Sequence, residues 1–388
     1  MSTNSNPRAK EPTMYLAICM IGIFLVLLAA YAHGQQVHQL SYNNANWADQ
    51  DLGGSFTDSL SSVGAFITTP NDALHVYYLS DTDDVHQLYN VGTGWQDEDL
   101  TVETDSVPAN NGSNIVGFSI GNVQYVFYVG VEFNIHELVY TDHWTDTDLT
   151  YVSGAPISNG SELAAFVTTP NNAIHLYYVT PGPYVMQLYN VGGGWGYENL
   201  TAKTGGPQPQ GRWLSGFSIG NLQYVYYVAW EGDVHQLSYN NSTWSDEDLT
   251  AQAKMVPSPM YPNGGLSAMV IPGSKKMRVY YIGTNNHMIQ LSATNNKKWT
   301  GADLTKKTKG PLANAWNGIV AFATTPNNQI HVFYLAGSHV NQLFLPTPAT
   351  KWSNQDLTAL TSGGLAQYPG GMAGFSIGNL QYVYYLGN

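Results

Sequence analysis

A tryptophan recurs along this chain at Trp47, Trp95, Trp144, Trp195, Trp244, Trp299 and Trp352. An Asp or Asn stands four residues after each one: Asp51, Asp99, Asp148, Asn199, Asp248, Asp303 and Asp356. The intervals between the tryptophans are 48, 49, 51, 49, 55 and 53 residues. A period of that length marks a repeat architecture, in which each unit buries its faces against its neighbours. It overrides the two or more domains that 388 residues would otherwise suggest.

One unit is clearest over residues 64–101, GAFITTPN-DALHVYYLS-DTDDVHQLYN-VGTGWQDEDLT. It divides into four short segments separated by Pro, Gly, Asn or Asp, which is the pattern of a four-stranded antiparallel meander. The first segment opens on a small residue in every copy: Gly64, Gly117, Ala164, Gly216, Ser267, Ala321 and Gly374. Small residues suit an innermost strand, where backbones converge on an axis. Copies 1, 3 and 6 follow that strand with Thr-Thr-Pro-Asn and copies 2, 4 and 7 with Ser-Ile-Gly-Asn; copy 5 fits neither. This alternation points to an ancestral two-blade unit.

The chain ends carry half-units. Residues 36–52 contain only the third and fourth segments, and residues 374–388 only the first and second. Joined, they make one more blade and remove two unpaired edges. The expectation is an all-β, seven-bladed β-propeller of four-stranded antiparallel blades over residues 33–388, its last blade closed by the N- and C-terminal strands. The nearly apolar strands agree, because each blade is packed on both faces. Paired tyrosines such as Tyr77-Tyr78 and Tyr384-Tyr385 would put one ring on each face, with the hydroxyl reaching a wet edge.

Ahead of the repeats, a polar stretch with Arg8 and Lys10 precedes an apolar run and then Ala30-Tyr31-Ala32. That order is a signal peptide over 1–32, cleaved near Ala32–His33, and implies secretion or a periplasmic or extracellular location. The alternative is an uncleaved membrane anchor over 14–31. Cys19 lies inside this run, so the repeats contain no disulfide.

The formal net charge of −13 excludes a nucleic-acid partner for the chain as a whole. Eight of its fourteen basic residues nevertheless fall between Lys275 and Lys309, on copy 5. No nucleophile elbow, metal-binding His motif or phosphate loop is present, and the acidic residues sit mainly in the repeated turn, where an Asp caps backbone N–H groups. No catalysis, metal or cofactor is expected.

Two polar positions recur where a sandwiched strand should be apolar. In the second strand they are His75, Tyr125, His175, Tyr224, Arg278, His331 and Tyr382. In the third strand they are Gln39, Gln87, Glu137, Gln187, Gln236, Gln290 and Gln342. Planar hydrogen-bonding groups beside aromatic rings suit glycans, and repetition around a ring supplies avidity. The competing expectation is that these residues satisfy one another between blades. Trp213, Trp230 and Trp316 stand outside the repeat and are candidate stacking residues.

The blade wording, with Leu74-His75-Val76-Tyr77-Tyr78, then Val85-His86-Gln87-Leu88, then Trp95 and Asp99-Leu100, resembles bacterial seven-bladed propeller lectins and, more distantly, fungal fucose-specific lectins. The resemblance implies sugar sites in clefts between adjacent blades. In the fungal type an Arg on the second strand and a Glu on the third clamp the sugar. Here only copy 5 keeps the Arg (Arg278) and only copy 2 the Glu (Glu137), and no copy keeps both. The expected function is therefore a carbohydrate-binding protein whose partners are glycans or glycoconjugates. The alternative is an extracellular protein-interaction or surface-assembly scaffold.

Overall fold

The computed structural model describes residues 35–43, 45–54, 62–160, 162–240, 242–259, 265–314, 318–367 and 370–388. The segment 1–32 and Trp316 lie outside them. The described strands form seven four-stranded antiparallel sheets. Blade 1 comprises β3 (Gly64–Thr68), β4 (Ala73–Leu79), β5 (Val85–Asn90) and β6 (Trp95–Asp99). Blade 2 comprises β7 (Val116–Ile120), β8 (Val123–Val129), β9 (Ile135–Tyr140) and β10 (Trp144–Asp148). Blade 3 comprises β11 (Ala164–Thr168), β12 (Ala173–Val179), β13 (Val185–Asn190) and β14 (Trp195–Asn199). Blade 4 comprises β15 (Pro209–Ile219), β16 (Leu222–Ala229), β17 (Val234–Asn240) and β18 (Thr243–Asp248). Blade 5 comprises β19 (Leu266–Val270), β20 (Lys276–Ile282), β21 (Met288–Thr294) and β22 (Lys297–Asp303). Blade 6 comprises β23 (Val320–Ala323), β24 (Ile330–Ala336), β25 (His339–Leu345) and β26 (Ser353–Asp356).

Blade 7 joins the two ends of the chain. Its order is β2 (Asn46–Asp51), β1 (Gln36–Asn43), β28 (Leu380–Gly387), β27 (Met372–Ile377). Val37 faces Leu386, His38 faces Tyr385, Gln39 faces Tyr384 and Leu40 faces Val383. The fold is the expected seven-bladed propeller, with the tail supplying the inner strands and the head the outer ones.

The periodic tryptophan proves to be an inter-blade rivet. Each one sets its edge against the second-strand aromatic of the preceding blade at centroid distances of 6.0–6.3 Å: Trp144 on Tyr77, Trp195 on Phe127, Trp244 on Tyr177, Trp299 on Tyr226, Trp352 on Tyr280, Trp47 on Phe333 and Trp95 on Tyr384. The last two close the ring. The edge-to-face geometry matches the ring quadrupoles and adds about 0.5–1.5 kcal/mol per pair beyond area burial. The paired tyrosines are almost wholly buried rather than edge-exposed, and most of their hydroxyls bond inside the protein, as Tyr178 does to the Pro156 carbonyl at 2.7 Å.

The Asp or Asn four residues on is an N-cap. Six blades continue into single-turn helices: α1 (Leu100–Thr104), α2 (Leu149–Ser153), α3 (Leu200–Thr204), α4 (Leu249–Ala253), α5 (Leu304–Thr308) and α6 (Leu357–Thr361). The Asp99 carboxylate accepts from the Val102 amide at 3.0 Å, and the five others repeat the bond. The Leu of each Asp/Asn-Leu-Thr triplet is buried, and the Thr hydroxyl accepts the otherwise orphaned amide at the start of the third strand, as Thr101 does from Val85 at 2.8 Å. The sequence pattern predicts a turn here; the cap and the buried Leu make it helical.

Candidate functional site

The two sequence flavours are neighbours in space and lock together. Thr69, Thr169 and Thr325 of the Thr-Thr-Pro-Asn turns donate their amides to the Gly121, Gly220 and Gly378 carbonyls of the following blades at 3.0–3.2 Å. Ser119, Ser218 and Ser376 of those following blades donate back to the Ile67, Val167 and Ala323 carbonyls. Phe66 and Phe166 press against Gly117 and Gly216, where any Cβ would lie 2.7–2.8 Å from the ring. Blades 1–2, 3–4 and 6–7 are therefore paired modules, and blade 5 stands alone.

Inside each module the inter-blade cleft is filled by the recurrent polar residues. Gln87 Nε2 lies 2.6 Å from His75 Nδ1, 3.0 Å from the Tyr77 hydroxyl and 3.0 Å from Gln124 Oε1 of blade 2 and shares its two N–H groups among them, and Tyr77 donates to the same Gln124 oxygen. His75 Nε2 meets the Thr68 hydroxyl at 3.1 Å. Blade 3 repeats the network with Gln187, His175, Tyr177 and Gln223 of blade 4. Blade 6 repeats it with Gln342, His331 and Gln381 of blade 7. Burial without a counter-charge holds His75, His175 and His331 neutral, each pulled down to about 4. In these three clefts the Gln and His side chains bond one another.

The other four clefts are built differently. There the position that Gln124, Gln223 and Gln381 occupy in the bridged clefts is apolar: Ile174, Met277, Ile330 and Leu74. Ile174 shares a core cluster with Tyr125 of the preceding blade, and Met277 with Tyr224. A size exchange accompanies the switch. In the bridged clefts a second-strand His pairs across the sheet with a bulky residue: His75 with Tyr89, His175 with Tyr189 and His331 with Phe344. In the apolar-backed clefts a bulky second-strand residue pairs with a small one: Tyr125 with Val139, Tyr224 with Ser238, Arg278 with Ser292 and Tyr382 with Ser41.

Several buried polar atoms in these clefts have no bonding group among the described residues. They are both amide atoms of Gln236 and the Tyr226 hydroxyl, Gln290 Oε1 and the Tyr280 hydroxyl, and Gln39 Oε1 and the Tyr384 hydroxyl. The Arg278 guanidinium donates to the Met277 carbonyl at 2.9 Å. Glu137 is buried against Trp195, whose bond lowers its pKa, but desolvation dominates and pushes the carboxyl up to about 7.

Between blades 4 and 5 the cleft opens to about 260 Å³. Ile219, Leu222, Tyr224, Ser238 and Asn240 line one wall, and Lys275, Met277, Asn295, Asn296 and Lys297 the other. A second, central space of about 640 Å³ is lined by the innermost strands and holds Trp213. Trp213 is buried, whereas Trp230 is 59% exposed on the turn between β16 and β17.

The second histidine set is on the opposite strand face. His38, His86, His136 and His235 pair with Asp49, Asp97, Asp146 and Asp246 at 2.8–3.2 Å. Among the described residues no cluster of three His, Cys, Asp or Glu is arranged for a metal ion, and no helix is long and apolar enough to cross a membrane.

A model of the family described as fungal fucose-specific lectin matches residues 7–178. Solved structures extend the likeness to the rest of the ring. A lectin from Burkholderia pseudomallei superposes with a TM-score of 0.58 at 16% identity, covering 84% of this chain and 97% of its own. The Aleuria aurantia lectin in complex with α-methyl-L-fucoside gives 0.55 at 16% identity, covering 77% and 95%. A protein from Arthrobotrys oligospora gives 0.54 at 13% identity, covering 91% and 94%.

The architecture is that of the propeller lectins. At these identities the shared property is the fold. The Aleuria lectin is described as six-bladed, one blade fewer than this ring. No curated protein matches the chain.

Proposed function

We propose that this protein is a carbohydrate-binding lectin without catalysis, acting outside the cytoplasm through sites in the clefts between modules. The observation that carries this is the cleft between blades 4 and 5. It sets the Tyr224 ring beside a serine hydroxyl and three asparagine amides on a partly apolar floor. Aromatic faces take the C–H surface of a sugar while fixed amides and hydroxyls take its hydroxyls. The matching pairs in the remaining apolar-backed clefts are Tyr125 with Glu137, Arg278 with Gln290 and Tyr382 with Gln39. In the bridged clefts His75, Gln87, His175 and Gln187 are bonded to one another and to the next blade, and the Gln342 amide is held by His331 Nδ1 and Gln381, leaving His331 Nε2 buried without a bonding group among the described residues. Up to four sites per ring follow. The family match and the fold shared with known lectins support the same reading.

A glycan-array screen of the secreted chain tests it. The expected result is binding to at least one clustered glycan, weakened about tenfold per site by Tyr224→Ala, the loss of one aromatic contact. Failure to bind any glycan at multivalent density overturns it.

A second reading has one observation in its favour. Phe133, Tyr184 and Trp230 are exposed on the second-to-third-strand turns of blades 2, 3 and 4, at 38%, 40% and 59%. Aromatics repeated on one rim suit a protein-interaction scaffold. Glycan-independent capture that is lost on Trp230→Ser, with the array blank, would decide for it.

A further inference from the structure

We propose that the cleft between blades 4 and 5 takes an acidic sugar, a pyranose carrying a carboxylate or a sulfate ester; this rests on the carbohydrate-binding reading above. The chain as a whole is acidic, with a formal charge of −13, yet Lys275 and Lys297 both line this cleft. They come from different hairpins of blade 5. Lys275 precedes β20, and Lys297 follows Asn295 and Asn296, whose φ values of 56° and 53° make the left-handed two-residue turn that suits Asn. The Asn295 amide donates to the Lys275 carbonyl at 2.9 Å, so the two loops are tied to each other.

Both lysines are exposed, and the one lysine ion pair among the described residues is Lys203 with Glu198 in blade 3. No other blade carries a lysine on both hairpins.

The opposite wall supplies Tyr224, Ser238 and Asn240. Asn296 Oδ1 is buried with no bonding group among the described residues, and so are both amide atoms of Gln236 one pleat below Ser238. The volume of about 260 Å³ falls below the range for drug-sized ligands and leaves room for one sugar ring. Two lysines on one wall and Tyr224 on the other suit a ligand with an apolar face and an anionic edge. Away from blade 5 the acidic surface repels an anion; within a Debye length of the cleft the local cations govern.

The test is titration calorimetry of the full secreted chain with methyl glucuronide, the methyl glycoside of N-acetylneuraminic acid and galactose 6-sulfate. Methyl glucoside and galactose are the neutral counterparts, and the first three ligands separate carboxylate from sulfate. An acidic sugar is expected to bind about tenfold more tightly than its neutral counterpart, the difference between a charge-assisted and a neutral hydrogen bond. The preference should disappear in the double variant K275Q/K297Q, and raising salt from about 50 to about 500 mM should weaken only the acidic ligand. The triple variant Tyr224→His, Ser238→Tyr and Met277→Gln, which restores the full residue set of the bridged clefts, should abolish binding there while the melting temperature is kept.

Equal affinity for acidic and neutral sugars overturns the proposal and leaves the carbohydrate-binding reading standing. So does a preference that survives K275Q/K297Q or the triple variant. No binding of any sugar overturns both.

Discussion

Two residue types carry the pH response of the fold, with opposite signs. Burial raises Glu137 to about 7 from its ordinary 4.5, so the folded state holds its proton more tightly than the unfolded chain. The stability this contributes is complete below pH 4.5 and is lost as pH rises through 7. Every other blade has Gln at this position. Glu137→Gln is therefore expected to stabilise the protein by roughly 2–3 kcal/mol at pH 8 and by little at pH 4, read from urea unfolding at the two pH values.

Histidines 75, 175 and 331 are lowered from 6.5 to about 4. Their contribution is complete above pH 6.5 and is lost as pH falls through 4, because burial disfavours the charged ring. His86 and His136 oppose this. Burial lowers them, but bonds to Asp97 and Asp146 raise them above 6.5 on balance. His175→Gln should flatten the acid side of the melting-temperature profile; an unchanged slope between pH 6.5 and 4 would refute the assignment.

At the scale of the element, blade identity is decided by a few coupled choices. His with Tyr or Phe on the third strand goes with Gln across the gap; Tyr or Arg with Ser or Val goes with an apolar residue. Each set fills one volume and bonds one set of polar atoms, so mixed sets leave either overpacking or orphaned groups. Converting the blade 4–5 cleft with Tyr224→His, Ser238→Tyr and Met277→Gln together is expected to abolish sugar binding there with folding intact. The single change Met277→Gln should recover less than the triple in unfolding experiments. The capping Asp acts locally. Asp248→Ala removes the bond to the Ala251 amide and should cost about 1 kcal/mol by denaturant titration, with no change in the other clefts.

For the whole molecule, closure is the decisive contact. β1 and β28 are paired over seven residues, from Gln36 opposite Gly387 to Tyr42 opposite Gln381, and Trp47 and Trp95 rivet blade 7 to both neighbours. Deleting 380–388 would strand the outer half of blade 7 and expose both edges of the gap, so the truncated chain is expected to be aggregated or unfolded by circular dichroism and gel filtration. A circular permutant that joins Asn388 to Gln35 through a short linker and opens the Pro181–Tyr184 turn keeps every sheet. It should melt within a few degrees of the native chain. A permutant that folds no better than the truncation would show that the closure does not hold the ring.

The repeat alone determined the blade count and the closure, because a fixed Trp-to-Asp offset and two complementary half-units admit one ring. It also separated two blade flavours and assigned the Asp to capping, since both are local patterns. What the recurrent Gln and His do was decided only in three dimensions. Each sits at an equivalent sequence position, yet whether its polar atoms are bonded depends on a residue 35 to 41 positions away on the next blade: Gln124 and Gln381 bridge, where Met277 and Ile330 stand at the same place. That residue looks like an ordinary member of a strand in one dimension. It acquires meaning when the propeller sets it opposite the next blade's face, because hydrogen bonding in a buried cleft is a property of the pair of blades and not of either alone.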